Sequence, residues 1–492
     1  MVVITTKKVI EEIGQLNVYT LIYDSEDELE DSIISNATKD QPVLGLYSRA
    51  WENYPNIRKE IEKKGSNFYL YHPLDTLEFN YIPGIDPRHL VHAKHSALLS
   101  FMAQKALYKI RPTKTVDRRA MLTSPFKSLF DYYPAPMLIQ PETCKSWKYC
   151  NACVETCPFE ALSGKPPQVN LDKCTGCGLC TGSCPFGLIL MPQWNIESLT
   201  YLLSIIRRYS SQPGYVVGVC NDLLAKLSKQ EIRVSYPTVF VNVECPGWFS
   251  DYHILASASK GFQVLVYCSG EEINSCGSRE MFEPRLRNME PLGTLPKILI
   301  QPSELAEALS KPPTIKILEE DYSVVKEKTD AYKILSALGV ERVKFTDPVV
   351  GLVKVDDEKC LVCDACSNLC PFRALERVND GDETQLIFHP DRCTACGICE
   401  KTCPYDALKL DYEFNRDILK EEAHILARDE IAKCKRCGKP IGSKKHLLAL
   451  ERKLKESGVD EWVLEQLWLC QECKMKTLIE RQLLGGSREE SN

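Results

Sequence analysis

Histidine is scarce in this chain, eight in 492 residues, so no Ser/His/Asp set can be proposed from the sequence. No run of roughly 18 consecutive apolar residues occurs, and no segment is expected to span a membrane. No apolar run follows a basic start, so no signal peptide is expected, and Arg118-Arg119 lies too deep to be a twin-arginine signal. Phosphate-gripping loops are missing as well. There is no G-x-G-x-x-G after a strand and no G-x-x-x-x-G-K-[ST]; Gly438-Lys-Pro-Ile-Gly442-Ser-Lys-Lys falls short in spacing and order. A formal charge of -6 argues against a nucleic-acid-binding surface. No C-x3-C-x2-C run suggests radical chemistry, and residues 1–143 contain no cysteine.

Beyond that point there are 24 cysteines. A disulfide scaffold suits short secreted chains; this one is long, signal-free and clustered in C-x2-C steps, which points to reduced, cytoplasmic thiolates holding metal. Four runs stand out: Cys144-x5-Cys150-x2-Cys153-x3-Cys157-Pro158, Cys174-x2-Cys177-x2-Cys180-x3-Cys184-Pro185, Cys360-x2-Cys363-x2-Cys366-x3-Cys370-Pro371 and Cys393-x2-Cys396-x2-Cys399-x3-Cys403-Pro404. In such runs three closely spaced thiolates wrap one [4Fe–4S] cubane and the fourth reaches the neighbouring cubane. The ligand sets therefore cross. The first is Cys144, Cys150, Cys153 and Cys184; the second Cys174, Cys177, Cys180 and Cys157. The third is Cys360, Cys363, Cys366 and Cys403; the fourth Cys393, Cys396, Cys399 and Cys370. The C-x5-C opening of the first run carries Trp147 and Tyr149, which would shield that cluster or meet a partner; any altered cluster is expected there. The repeated tail after each fourth cysteine, Pro-aromatic-x-x-apolar, reads as a short helix, with the aromatic packed near the cluster.

Between the two pairs the sequence alternates strands and helices. Tyr215–Cys220, Thr238–Cys245 and Phe262–Cys268 read as strands, with helices at 222–229 and 251–260. Each strand ends on a cysteine, and strands of a parallel sheet deliver their C-terminal ends to one crevice. Cys220, Cys245 and Cys268 should converge there, with Cys276 on the next loop. The bland alternative is four buried, inert thiols. The N-terminal region also reads as α/β, with strands at 18–23, 43–47 and 67–71 and helices at 26–34, 54–64 and 87–108. His89, His92 and His95 on the last of these share a face only in part and read as a solvated helix. The segment 111–143 reads as an extended connector and 311–350 as a linker with a short helix near 329–338. Near the end, Cys434-x2-Cys437 and Cys470-x2-Cys473 are separated by a helical hairpin at about 444–468. Two such knuckles suit a closed zinc site; a fifth cubane is the competing reading.

These motifs resemble a known set. Residues 48–71 and the helix 87–108 are similar to the N-terminal domain of HdrA-type subunits of heterodisulfide reductases, although that domain's cluster cysteines and the following flavin domain are absent here. Cys220, Cys245-Pro-Gly, Cys268 and Cys276 resemble the [2Fe–2S] ligands of MvhD-like proteins, which carry extra cysteines near the first position. The Cys434-Lys-Arg-Cys-Gly-Lys-Pro and Cys470-Gln-Glu-Cys-Lys segments are similar to the tail of ferredoxin-like subunits of formate hydrogenlyase complexes.

The resemblance implies an α/β plus α+β multidomain chain. Its parts are an α/β N-terminal domain (1–110), a connector (111–143), a 2[4Fe–4S] ferredoxin module (144–192) and an MvhD-like domain (195–310). A linker (311–350), a second module (351–412), a helical four-cysteine domain (413–480) and a disordered tail (481–492) follow. It further implies a cytoplasmic electron-transfer subunit with no catalytic residues of its own. Its redox partners would be a formate dehydrogenase- or hydrogenase-type subunit and heterodisulfide reductase-like subunits. The alternatives are a flavin-containing oxidoreductase with its own substrate pocket, and a sensor that uses its metals structurally.

Overall fold

The computed structural model describes residues 2–7, 10–11, 20–37, 43–46, 60, 63–64, 107–112, 130–138, 141–146, 150–191, 196–220, 223, 234–243, 245–268, 279–294, 298–322 and 330–485. The expected elements at 54–64, 67–71, 87–108 and 222–229 lie wholly or largely outside these residues, as do the three histidines. The chain divides into two compact units, one of residues 1–350 with 412–416, the other of 351–411 with 417–492.

The first unit opens with β1 (Val2–Thr6), β2 (Thr20–Tyr23), α1 (Glu26–Asn36) and β3 (Val43–Leu46), the strands parallel in the order β2-β1-β3. Ser25 caps α1 by accepting the Glu28 N–H at 3.3 Å. Leu29 and Ile33, one helical turn apart, bury the inner face of α1.

The stretch expected as a helix end and connector is instead folded. Strands β4 (Leu107–Pro112) and β5 (Phe130–Ala135) pair antiparallel. They are followed by β6 (Met137–Leu138) and α2 (Pro141–Ser146), which carries Cys144. The β-favouring Tyr and Phe content of β4 and β5 outweighs the prolines, which sit at the end of β4 and near the end of β5, where a lost donor matters least.

The first cysteine module adds α3 (Ala152–Glu155), β7 (Leu162–Ser163), β8 (Gln168–Val169), α4 (Leu179–Ser183) and β9 (Ile189–Leu190). Next comes α5 (Ile196–Tyr209), whose Leu199, Leu202, Leu203 and Ile206 form a buried i, i+3, i+4, i+7 stripe. The central sheet is parallel in the order β11-β10-β12: β10 (Gly214–Cys220), β11 (Thr238–Val243) and β12 (Phe262–Tyr267). Their near-continuous apolar runs are buried on both faces, as parallel strands require. Helices α6 (Asp251–Ser259), α7 (Arg279–Asn288) and α8 (Pro302–Ser310) accompany this sheet. After α9 (Ala331–Leu338), β13 (Arg342–Lys344) pairs antiparallel with residues 413–415. The second half of the expected linker is thus core: Val343, Phe345, Asp347, Val349 and Val350 are buried.

In the second unit, β14 (Leu352–Val355) and β17 (Leu408–Asp411) pair across the module. Between them lie α10 (Ala365–Leu369), β15 (Leu375–Asp380), β16 (Glu383–Phe388) and α11 (Ile398–Thr402). The region from 413 on is not purely helical. Residues His424–Lys433 form a ten-residue strand that joins β16, and Pro440–Ser443 extends the sheet to four strands. The run Ile425-Leu-Ala, Arg428-Asp-Glu, Ile431-Ala has no apolar/polar alternation to announce a strand; pairing with β16 holds it extended. The helical hairpin is as expected, Lys444–Glu456 and Glu461–Leu467, followed by a last helix, Gln471–Gly485. Among the described residues no helix is long and apolar enough to cross a membrane.

Candidate metal centres

Each cysteine run resolves into the same local device. The short helices α3, α4, α10 and α11 lie before the fourth cysteine, not after its proline. The tail is a tight turn: the fourth residue's N–H bonds the cysteine carbonyl, as in Glu160 to Cys157 and Arg373 to Cys370. That residue is left-handed in every run, Glu160, Gly187, Arg373 and Asp406 having φ of 48°, 63°, 52° and 49°, which is why no helix propagates. The next N–H then points at sulfur. Ala161, Leu188, Ala374 and Ala407 donate to Sγ of Cys157, Cys184, Cys370 and Cys403 at 3.2–3.3 Å. Hydrogen bonds to cluster sulfurs are one means by which a protein sets potential.

The cysteines gather across runs. One cavity is lined by Cys144, Cys150, Cys153 and Cys184; a second by Cys157, Cys174, Cys177 and Cys180; a third by Cys360, Cys363, Cys366 and Cys403. Cys370, Cys393, Cys396 and Cys399 neighbour one another closely enough for each anion to disfavour the next. Phe159, Phe186 and Tyr405, the aromatics after the proline, line their cavities. The longer first run still returns Cys144 to its cavity; Trp147 and Tyr149 lie outside the described residues.

Burial pushes these thiols up, and the neighbouring thiolates push further: Cys153, Cys366 and Cys393 reach about 12, and Cys180 also rises well above its ordinary value. Without metal Cys153, Cys180, Cys366 and Cys393 keep their protons at neutral pH. Iron supplies the positive charge that lets them act as thiolates, and loading releases protons. Two basic residues at the cavities escaped the sequence reading. Lys165 lines the first cavity, donates to the Cys150 carbonyl at 2.6 Å, and its charge opposes the rise at Cys144 and Cys153. Arg377 lines the third and pairs with Asp364 at 3.3 Å. Nothing in the spacing of either singles it out.

The parallel order of the central sheet carries Cys220, Cys245 and Cys268 to the same edge. The Cys220 side chain and all of Cys276 lie outside the described residues. Cys245 caps a 3-10 turn, Pro246–Trp248, and its Sγ accepts the Gly247 N–H at 3.4 Å. That turn abuts the second cavity's loop. A Cβ on Gly247 would stand 3.2 Å from the Cys177 carbonyl oxygen and 3.4 Å from Cys245 Sγ, so a side chain there would press the Cys177 loop back by a few tenths of an ångström.

Cys434, Cys437, Cys470 and Cys473 place four sulfurs within 4.8 Å of one another. The Cys470 N–H reaches Cys434 Sγ at 3.2 Å, and left-handed Gly438 closes the first knuckle. Burial pushes Cys434 up, but N–H groups of Cys470, Arg436 and Cys437 outweigh it and bring the thiol down to about 6. This group could bind a metal ion.

Comparison with known proteins fits these centres. Residues 136–198 and 359–407 each match the 4Fe-4S dicluster domain, so the chain carries two such domains, which imply four [4Fe–4S] clusters. The chain is 54% identical over 41 residues to the uncharacterized ferredoxin MJ0265 of Methanocaldococcus jannaschii, covering 8% of this chain and 25% of the relative. It is 44% identical over 50 residues to dihydromethanopterin reductase (acceptor) of Methanosarcina mazei, 9% of this chain and 21% of that one. To the putative oxidoreductase UacF of Escherichia coli it is 30% identical over 95 residues, 18% and 14% respectively. The matches thus span a quarter or less of these relatives' own length; with the two dicluster domains they support an iron–sulfur electron-transfer function for this chain.

Proposed function

We propose that the chain is a multicentre electron relay between two protein partners, a formate dehydrogenase- or hydrogenase-type catalytic subunit on one side and a heterodisulfide reductase-like subunit on the other. The observation that carries this is the pairing of thiol groups across runs: a two-cubane module serves to pass single electrons. The sixteen cysteines of the four runs are assigned as cubane ligands in the crossed sets given above. Cys220, Cys245, Cys268 and Cys276 are assigned to a [2Fe–2S] centre, supported by the arrival of three strands at one sheet edge. The Cys245 turn would then stand where an electron passes to the second cubane. The terminal four cysteines are assigned to zinc: tetrahedral bonds of 2.3 Å bring sulfurs to about 3.8 Å from one another, whereas the corners of a cubane hold them farther apart. The surroundings are assigned as cytoplasmic, where thiolates stay reduced.

Metal and acid-labile sulfide analysis of anaerobically purified protein tests the assignment. It should give about 18 iron and one zinc, and a colourless protein carrying zinc alone would overturn it. Affinity purification of the native protein with its bound partners tests the relay. Recovery of FAD from the denatured chain would instead favour an oxidoreductase with its own substrate pocket.

A further inference from the structure

Asp251, Arg285 and Asp347 form a charge cluster wholly inside the first unit, their side chains no more than 2% exposed. The Arg285 guanidinium donates from Nη2 to Asp347 Oδ1 at 2.9 Å and from Nη1 to the carbonyls of Gly247 and Phe249 at 3.3 and 3.1 Å. Asp251 Oδ2 accepts the N–H groups of Thr346 and Asp347 at 2.5 and 2.8 Å, while the Asp251 N–H bonds Asp347 Oδ2 at 2.8 Å. Two atoms are left over. Asp251 Oδ1 and Arg285 Nε face each other at 3.4 Å without a hydrogen bond. Two carboxylates against one guanidinium leave a net negative charge in the interior, which is costly unless a proton neutralises it.

The cluster grips the second cubane's site from two sides. Asp347 occupies the notch beside Gly182, in the C-x3-C step between Cys180 and Cys184; a Cβ there would stand 2.6 Å from either carboxylate oxygen. The first run has valine, glutamate and threonine in that step, and neither of the other two has glycine. On the other side, Arg285 holds the Pro246–Trp248 turn that lies against Cys177 and Gly178.

We propose that Asp251, within this cluster, is a redox-linked proton-binding site that takes up one proton when the second cubane of the first module accepts one electron. The electron comes from a low-potential one-electron donor and resides on the cubane iron. The proton comes from solvent and forms an O–H bond at Asp251 Oδ1, the oxygen that accepts no hydrogen bond, so the net local charge is unchanged. Burial, together with the Asp347 charge, pushes the Asp251 carboxyl up to about 7 against the pull of Arg285, so its proton affinity is poised near neutrality. Elements packed on α6 carry other titratable groups: Tyr201, Arg207 and Arg208 on α5, Tyr267 on β12, Tyr332 and Lys333 on α9, and Glu290 beyond α7. None of these pairs with Asp251. His253, on the same helix, has its Nδ1 engaged by the Ser250 cap.

The inference rests on the cubanes and not on the identity of the partners. The test is an EPR-monitored redox titration of the loaded protein with dithionite and mediators, from about pH 5 to about pH 9. The first-module potential should fall as pH rises through a window near neutrality, approaching a tenfold change in equilibrium constant per pH unit, about 59 mV. In Asp251→Asn, whose side-chain oxygen can still accept the two backbone N–H groups, the slope should vanish and the potential at high pH should rise. The second module's signals serve as internal reference. A pH-independent potential in the wild type, or the same slope in Asp251→Asn, overturns the proposal. Should the variant fail to load clusters, redox-difference infrared spectroscopy of the wild type decides: a protonated-carboxyl band must appear on reduction, and its absence overturns the proposal. Absence of any reduced-cubane signal would instead defeat the iron–sulfur reading itself.

Discussion

The Cα of Trp248 lies 3.0 Å from the point where a side chain on Gly178 would begin. Gly178 belongs to the Cys177-Gly-Leu-Cys180 loop and Trp248 to the turn after Cys245, so glycine here sets how closely two cysteine sites approach. Gly178 is also left-handed, at φ 78°. Gly178→Ala therefore carries about 1–2 kcal/mol of backbone strain plus the displacement of Trp248. Gly339, at φ 79° with nothing within 4 Å of an added Cβ, isolates the backbone cost alone. The expected outcome is a larger fall in melting temperature for Gly178→Ala than for Gly339→Ala, with the first module's EPR spectrum altered only in the former.

Lys165 places a positive charge at the first cavity and holds the Cys150 carbonyl. Reduction adds negative charge to the cubane, and Lys165 stabilises that state. Lys165→Met should lower the potential of one first-module cubane. An interaction of about 1 kcal/mol across the protein corresponds to about 40 mV for one electron. An unchanged potential would show that the lysine serves only the backbone of the loop.

Protonation of Asp251 also ties stability to pH. Its carboxyl rises from 3.8 in the unfolded chain to about 7 in the folded one, chiefly through burial. Between those values the folded state binds more protons, so this group's contribution is full below about pH 4 and is lost as pH rises through about 7. Asp251→Asn should therefore melt higher than wild type near pH 8, with the advantage shrinking as pH falls. The upper bound is on the order of 4 kcal/mol, at about 1.36 kcal/mol per unit. Melting curves of both proteins across that range check the sign.

The cysteine spacing made the two dicluster domains legible, because the C-x2-C-x3-C-Pro core that wraps a cubane recurs in all four runs, the C-x5-C opening of the first included. The parallel central sheet was equally legible from runs such as Val216-Val-Gly-Val219, which only a strand buried on both faces tolerates. What escaped were effects of tertiary contact. The tail after Cys-Pro looked helical locally, yet the N–H···S bonds from Ala161, Leu188, Ala374 and Ala407 pull it into a turn. Asp347, in an apparent linker, is core because it fills the notch at Gly182 and binds Arg285, a partner 62 residues away. The strand at 424–433 has no apolar/polar alternation to announce it; pairing with β16 holds it extended.

The terminal knuckles give the sharpest stoichiometric test. Four sulfurs within 4.8 Å suit one ion, and Cys437 Sγ already lies 3.5 Å from Cys470 Sγ. With Cys434 brought down to about 6 by backbone N–H groups, one thiolate is in place at neutral pH before metal arrives. The Cys473 thiol of the same group is pushed up to about 12, chiefly by burial, so loading must release protons and metal should be lost progressively as pH falls. Cys470→Ser with Cys473→Ser should remove one zinc per chain and leave the iron content unchanged. The cubane EPR spectra should be intact, while the hairpin Lys444–Glu456 and Glu461–Leu467 becomes more labile to proteolysis. If the double variant instead loses about four iron atoms and no zinc, the site holds a fifth cubane and belongs to the relay.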